Sequence, residues 1–194
     1  MPSASTVLPT IEIMVTELEM RARPAGPPRP MPVGKYAVLH AENPPLAFYR
    51  FLYNTIGEPW QWTHRRLMPD DELLAIIADP KVEIYVLYAA GVPAGYVELD
   101  YRLMPDADIA YFGLMPGFIG RGLGGYLLDW AVRAAWQRGP ERLTVNTCNL
   151  DHPRALAAYQ RAGFVAYDRH PQRLVPMSVV HALERAQPIP AVDP

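Results

Sequence analysis

The stretch Leu114–Gly125 constrains the fold more than any other part of the chain. It reads Leu-Met-Pro-Gly-Phe-Ile-Gly-Arg-Gly-Leu-Gly-Gly, which is the end of a strand, a proline-marked turn and a run of glycines opening a helix. The first N–H groups of such a helix have no intrahelical partner and sit at the positive end of its dipole. A loop of this kind suits an anion, a pyrophosphate above all. The helix is expected to run to Gly139. A strand over Arg142–Cys148 follows, then a second helix that carries Tyr159 and closes at Gly163.

Two familiar phosphate loops do not account for the pattern. Gly120, Gly122 and Gly125 match G-x-G-x-x-G, but in dinucleotide-binding folds the strand runs almost directly into the first glycine. Here Pro116–Ile119 intervene, and the preceding segment reads as an antiparallel meander rather than a βαβ unit. A Walker-type loop needs Gly-Lys-Ser/Thr, which is absent.

Thr10–Met20 alternates as a first strand, and Arg23–Pro32, with five prolines and a glycine, is a stiff connector. Leu46–Ile56 has helical spacing and stops at Gly57, read as the left-handed residue after a helix. Asp70–Ala78 reads as a short helix capped by Asp70. Glu83–Tyr88, Ala94–Tyr101 and Asp108–Leu114 are strands joined by short turns. In the helix after the glycines, Leu123, Leu127, Trp130, Ala131 and Ala134 form the core stripe; Asp129, Arg133 and Gln137 form the polar one. Asp151-His152-Pro153 starts the next helix, Phe164–Asp168 is a last strand, and the chain from Pro176 is expected to fray.

Two segments together resemble the GNAT superfamily of N-acetyltransferases. Leu114-x-Pro116 followed by Gly120-Arg121-Gly122-Leu123-Gly124 is similar to that family's acyl-CoA loop, V-x-P-x-x-Q/R-x-x-G-x-G/A before a helix. Ala155–Phe164 resembles its A-I-x-L-Y-E-K-L-G-F segment. The order of elements, from a first strand and two helices through the meander to helix, strand, helix and strand, is also similar. The resemblance implies an α/β (α+β) fold, with a mixed, mostly antiparallel central sheet flanked by helices and a splayed strand pair holding the cofactor. One domain would cover residues 10–175, with 1–9 and 176–194 as flexible or peripheral tails.

By the same resemblance, Gly120, Arg121, Gly122, Leu123, Gly124 and Gly125 offer backbone N–H groups to the pyrophosphate of acetyl-CoA. The strand edge at Phe112, Gly113 and Leu114 would hydrogen-bond the pantetheine arm as an added strand does. Gly113 inside a strand suggests the bulge that splays it from the strand ending at Cys148. Ile119 departs from the family's Gln/Arg. The family's Asn corresponds to Asn149 when counted from the strand, or to His152 when counted back from Tyr159, and both are candidate cofactor contacts.

Acyl transfer from a thioester to an amine requires that the amine lose a proton, the oxyanion be stabilised and the leaving thiolate be protonated. By resemblance Tyr159 is the general acid, and an ordinary tyrosine pKa near 10 keeps it protonated at neutral pH. The base is open between Glu98, Asp108 and a water-relayed or absent side-chain base. Tyr96, Glu98 and Asp100 share a strand face, and a hairpin about Met104 sets Asp100 near Asp108 and Glu98 near Ala110. Clustered carboxylates raise one another's pKa. Trp60 and Trp62, with Arg65 and Arg66, fall where the family's acceptor site lies. Aromatics there suit a cationic amine and arginines an acidic acceptor; core packing is the other reading.

Composition narrows the partners. A net charge of −2 provides no overall field for nucleic acid. No stretch of 18 apolar residues implies a membrane span, and Met1–Thr10 lacks a secretory pattern. The single cysteine, Cys148, excludes an internal disulfide and fits a reducing cytoplasm. His64, His152 and His170 lack metal-ligand spacing, so no metal is expected. With these bounds, the resemblance implies a cytoplasmic acetyl-CoA-dependent N-acetyltransferase acting directly on a primary amine of a small molecule or peptide. Family members are often homodimers, and no seam for one is legible. The alternative is a non-catalytic acyl-CoA-binding or regulatory module, which would keep the loop and need no acid or base.

Overall fold

Alternating apolar residues and tight turns build the centre of the molecule. The computed structural model describes residues 8–186. Two strands come first, β1 (Ile11–Met20) and β2 (Tyr36–His40), followed by the meander of β3 (Val82–Ala89), β4 (Val92–Asp100) and β5 (Asp106–Leu114). β6 (Arg142–Cys148) and β7 (Val165–Leu174) complete a sheet of order β2-β3-β4-β5-β6-β1-β7. Every neighbouring pair is antiparallel except β5–β6.

Successive residues of β4 point to opposite faces, so each face acquires its own core. Val97 and Leu99 join Leu18, Leu143, Val145 and the helices α4 (Leu123–Gln137) and α5 (Ala155–Ala162). Tyr96 joins Ile84, Val86 and the helices α1 (Leu46–Gly57) and α3 (Asp70–Ile77). A single-turn helix, α2 (His64–Leu67), links α1 to α3.

Several expectations are corrected. The first strand, β1, is present and sits between β6 and β7, but it does not lead into the helices. The strand before the helices is β2, an edge strand whose half-exposed residues carry no alternation. Gly57 has a helical φ of −83° rather than a left-handed one; its missing Cβ makes room for the Trp62 side chain. Asp70 is the first residue of α3, not its cap, and pairs with Arg50 at 2.6 Å. Pro153 lies in a turn ahead of α5 rather than in its first turn. The expected fraying after Pro176 is instead a helix, α6 (Met177–Ala186), with Met177 and Val180 buried. It is fixed by Met177 N–H donating to Gln61 at 2.8 Å and by the pairs Arg66–Glu184 and His181–Glu58, each at 2.7 Å. Of the expected tails, residues 1–7 and 187–194 lie outside the described residues.

Candidate active site

β5 and β6 pair in parallel only over Asp106–Asp108 against Arg142–Thr144, and then diverge. A bulge coincides with the parting. In the β4–β5 ladder Leu99 faces Ile109 and Glu98 faces Tyr111, which leaves Ala110 as the extra residue. The bulge is therefore at Ala110, not Gly113, and Glu98 lies opposite Tyr111 rather than Ala110; Asp100 does face Asp108. Gly113 serves space instead. A Cβ there would collide with Ile56 and approach the Trp62 ring at 3.4 Å.

The gap opens a cavity of about 570 Å³, within the range of small-molecule sites. Phe112, Gly113 and Leu114 form one wall, and Asn146 and Cys148 the other. Gly120, Gly122, Gly124 and Gly125 line the end beside α4 and α5; Tyr53, Trp60, Trp62 and His64 line the end beside α1 and α2. The cavity thus joins the two faces of the sheet.

The glycine loop follows from backbone conformation. Gly120 (φ +85°) and Gly122 (φ +79°) occupy the left-handed region that side chains resist, and nothing stands within 4 Å of where a Cβ would be. Among the described residues no side chain caps α4, and the N–H groups of Gly120, Arg121 and Gly122 donate to no backbone carbonyl. Open, donor-rich glycine backbone at the start of a 15-residue helix fits a phosphate group. Leu123 is buried in the core, and Arg121 lies over the Phe118 ring at 5.0 Å, so neither side chain lines the cavity.

Tyr159 lines the cavity from α5. Phe112 and Phe164 brace its ring edge-on, with centroids at 6.3 and 6.1 Å. Among the described residues its hydroxyl has no hydrogen-bond partner. Burial, reinforced by Asp151 and Asp108, pushes its pKa well above the usual 10.

The two candidate carboxylates lie elsewhere. Glu98 is fully buried in the α1-side core, where it accepts from Tyr49 Oη at 2.5 Å and pairs with Arg65 at 2.7 Å. Burial raises its pKa, while Arg65 and Tyr49 pull it back. Both oxygens are occupied, and it does not reach the cavity. Asp108 sits at the apex where the strands part and accepts from Thr144 Oγ1 at 2.6 Å. Burial pushes it up to about 6, but it too lies outside the lining.

Of the two cofactor candidates after β6, His152 lines the cavity and meets Trp60 edge-on at 5.2 Å. Asn149 does not, since it exchanges hydrogen bonds with the Met14 backbone at 2.8 and 3.2 Å. Trp60 and Trp62 both line the cavity. Arg65 is taken by Glu98, and Arg66 by Glu58 and Glu184, so neither is free for an acidic acceptor.

Three cavity residues were not singled out as site residues by sequence. His64 begins α2, with Nδ1 3.4 Å from Tyr111 Oη; burial holds its pKa below 6.5, which leaves the ring neutral at pH 7. Asp151 accepts from Thr147 Oγ1 and Cys148 N–H, both at 2.8 Å, and from Trp62 Nε1 at 3.4 Å, tying one wall to the aromatic end. Cys148 faces the cavity, but burial and Asp151 raise its thiol pKa. No residue spacing marks these roles, because each arises from packing between distant segments. Among the described residues no three His, Cys, Asp or Glu side chains group as a metal site, and no helix is long and apolar enough to cross a membrane.

Comparison with known proteins agrees with this geometry. The model of the Acetyltransferase (GNAT) family matches residues 49–164. By sequence the chain has no match among curated proteins. Among solved structures, a Drosophila protein shares 14% identity at a TM-score of 0.64, over 88% of this chain and 53% of that one. A GCN5-related N-acetyltransferase from Sphaerobacter thermophilus shares 18% identity at a TM-score of 0.56, over 84% and 52%. The ribosomal-protein-S18-alanine N-acetyltransferase from Escherichia coli shares 14% identity at a TM-score of 0.56, over 74% and 96%. The chain spans about half the length of the first two; at these identities the likeness is one of fold.

Proposed function

We propose, from the premise that this chain belongs to the GNAT acetyltransferase family, that it moves an acetyl group from acetyl-CoA directly to a primary amine of a small molecule or peptide. One observation carries the reading: a single cavity joins the open glycine loop to an aromatic, histidine-bearing pocket, with Tyr159 among its lining residues. Acetyl-CoA would supply the acetyl group activated as a thioester. The loop amides at Gly120–Gly125 would hold its pyrophosphate, and the free edge of β5 at Phe112–Leu114 would accept the pantetheine amides.

Tyr159 would deliver the proton to the departing sulfur, since its raised pKa keeps the phenol protonated throughout the neutral range. His64 is a better base than Glu98 or Asp108, because it lines the cavity and is neutral at pH 7. The amine would sit on the α1–α2 side between Trp62, Tyr111 and His64. With the Cys148 thiol held protonated, no covalent enzyme intermediate is invoked.

The test is Tyr159→Phe, assayed by calorimetry with acetyl-CoA and by turnover against a panel of amines. The variant should lose about 10²- to 10⁴-fold in kcat while binding acetyl-CoA as the parent does. A parent that binds acetyl-CoA but acetylates nothing in the panel would be a non-catalytic module. A parent that does not bind it would overturn the reading.

A further inference from the structure

The proline-rich connector Arg23–Pro32 lies against α4. Asp129 Oδ2 accepts from the backbone N–H of Arg29 at 2.9 Å and from Arg133 Nε at 2.9 Å. Arg133 Nη2 in turn donates to the carbonyls of Gly26 and Pro27, both at 2.9 Å. The Asp129 and Arg133 stripe is therefore a clip. Prolines on either side restrict the connector's φ angles, so a clip at two points settles where the segment between them lies.

That segment brings one side chain to the glycine loop. A Cβ built on Gly125 would stand 2.7 Å from Arg29 Nη1. Gly125 is in the first turn of α4 and lines the cavity. Among the described residues no carboxylate pairs with the Arg29 guanidinium. A cation at the positive end of a helix is unfavourable by itself. Arg29 itself is exposed and lines a neighbouring groove with Tyr126, Asp129 and Trp130, and Gly125 stands between that groove and the cavity. The guanidinium thus adds positive charge beside the helix dipole and the loop amides at the rim of the cavity, an arrangement that an anion would relieve.

We propose that Arg29 is a phosphate-binding residue of the coenzyme site, positioned by Asp129 and Arg133. The inference rests on the coenzyme A reading above and adds to it a side chain from a segment lying before the part matched by the family model. A guanidinium presents a planar fork that matches phosphate oxygens two at a time, and it never loses its charge. A side chain at Gly125 would have to move the Arg29 fork aside. The phosphate is either the diphosphate or the 3′-phosphate of coenzyme A.

Calorimetric titration of the full chain and of Arg29→Met with coenzyme A and with 3′-dephospho-coenzyme A tests this, with thermal denaturation as the folding control. Arg29→Met should weaken coenzyme A by about tenfold or more, the scale of one charge-assisted bond, at an unchanged Tm. The salt sensitivity of binding should fall as well. A loss that persists with 3′-dephospho-coenzyme A assigns Arg29 to the diphosphate; one that vanishes assigns it to the 3′-phosphate. Arg133→Met should weaken coenzyme A in the same direction, and Arg29→Lys should recover part of the affinity. Coenzyme A binding by Arg29→Met equal to the parent's, at equal salt sensitivity, would overturn the proposal. A parent that binds no coenzyme A would overturn the coenzyme reading itself.

Discussion

Replacing Glu98 by Gln removes one half of an ion pair with almost no access to water. The Glu98 side chain is 0% and that of Arg65 6% exposed, with 2.7 Å between them. Breaking such a pair leaves an uncompensated buried charge and costs about 3–5 kcal/mol. Gln keeps the shape and an acceptor for Tyr49 Oη, so Glu98→Gln belongs near the lower figure, about 3 kcal/mol. Arg65→Met strands the carboxylate instead, and burial already pushes that carboxyl toward its protonated form. Protonation limits the penalty, again to about 3 kcal/mol. In a chain of 194 residues, each single variant should lower Tm by roughly 6–12 °C. The double variant Glu98→Gln/Arg65→Met leaves neither charge alone, so it should cost about 2 kcal/mol less than the sum of the singles. Urea denaturation of the four proteins measures the cycle. Additive singles would refute the pairing. A Glu98→Gln protein with parental stability and no turnover would refute the structural role and restore Glu98 as a base.

Three further outcomes follow from the same geometry. Asp108 has a folded pKa of about 6 against an ordinary 3.8, so the folded state holds the extra proton between those values and its stability falls as pH rises through that window. Asp108→Asn should therefore stabilise the protein at pH 7.5, by at most about 3 kcal/mol, with the gain vanishing near pH 4 in denaturant titrations. Gly122→Ala forces a side chain to φ +79°, which should cost about 1–2 kcal/mol in urea denaturation and weaken acetyl-CoA in calorimetry. Cys148→Ser should retain turnover within about threefold, and iodoacetamide should label the parent slowly at pH 7, because the thiol pKa is raised.

The glycine loop, β6 and the meander were legible because their signals are local. Gly120 and Gly122 answer to a backbone conformation, and the stripe of Leu123, Leu127 and Ala131 to a helical period. The location of β1 was not legible. It pairs with β6, more than 100 residues later in the chain, and any exposed edge strand would accept its alternating pattern. Glu98 and Asp108 looked equivalent as carboxylates on adjacent strands. What separates them is Arg65 and Tyr49, which arrive from α1 and α2 to bury the first. His64 and Arg29 failed to stand out for the converse reason. Each is an unremarkable polar residue until a turn of helix carries His64 to the cavity and a clipped connector carries Arg29 to Gly125 at its rim.

The wedge itself joins fold to chemistry. Pairing between β5 and β6 stops at Asp108, yet neither wall is loose. β4 holds the far edge of β5 as far as Leu114, and β1 holds the far edge of β6 as far as Cys148. The opening is thus bounded by two intact ladders, set by the Ala110 bulge and tied across by Asp151. Backbone groups facing the gap lack ladder partners and must find them in water or in a ligand. A ligand with its own amides, laid along β5, would replace water there and leave the thioester end near Tyr159. An amine approaching from the α1–α2 side would meet it within the sheet. Because Ile13 and Val15 also line the cavity, the N-terminal strand is part of the site's wall as well as of the sheet.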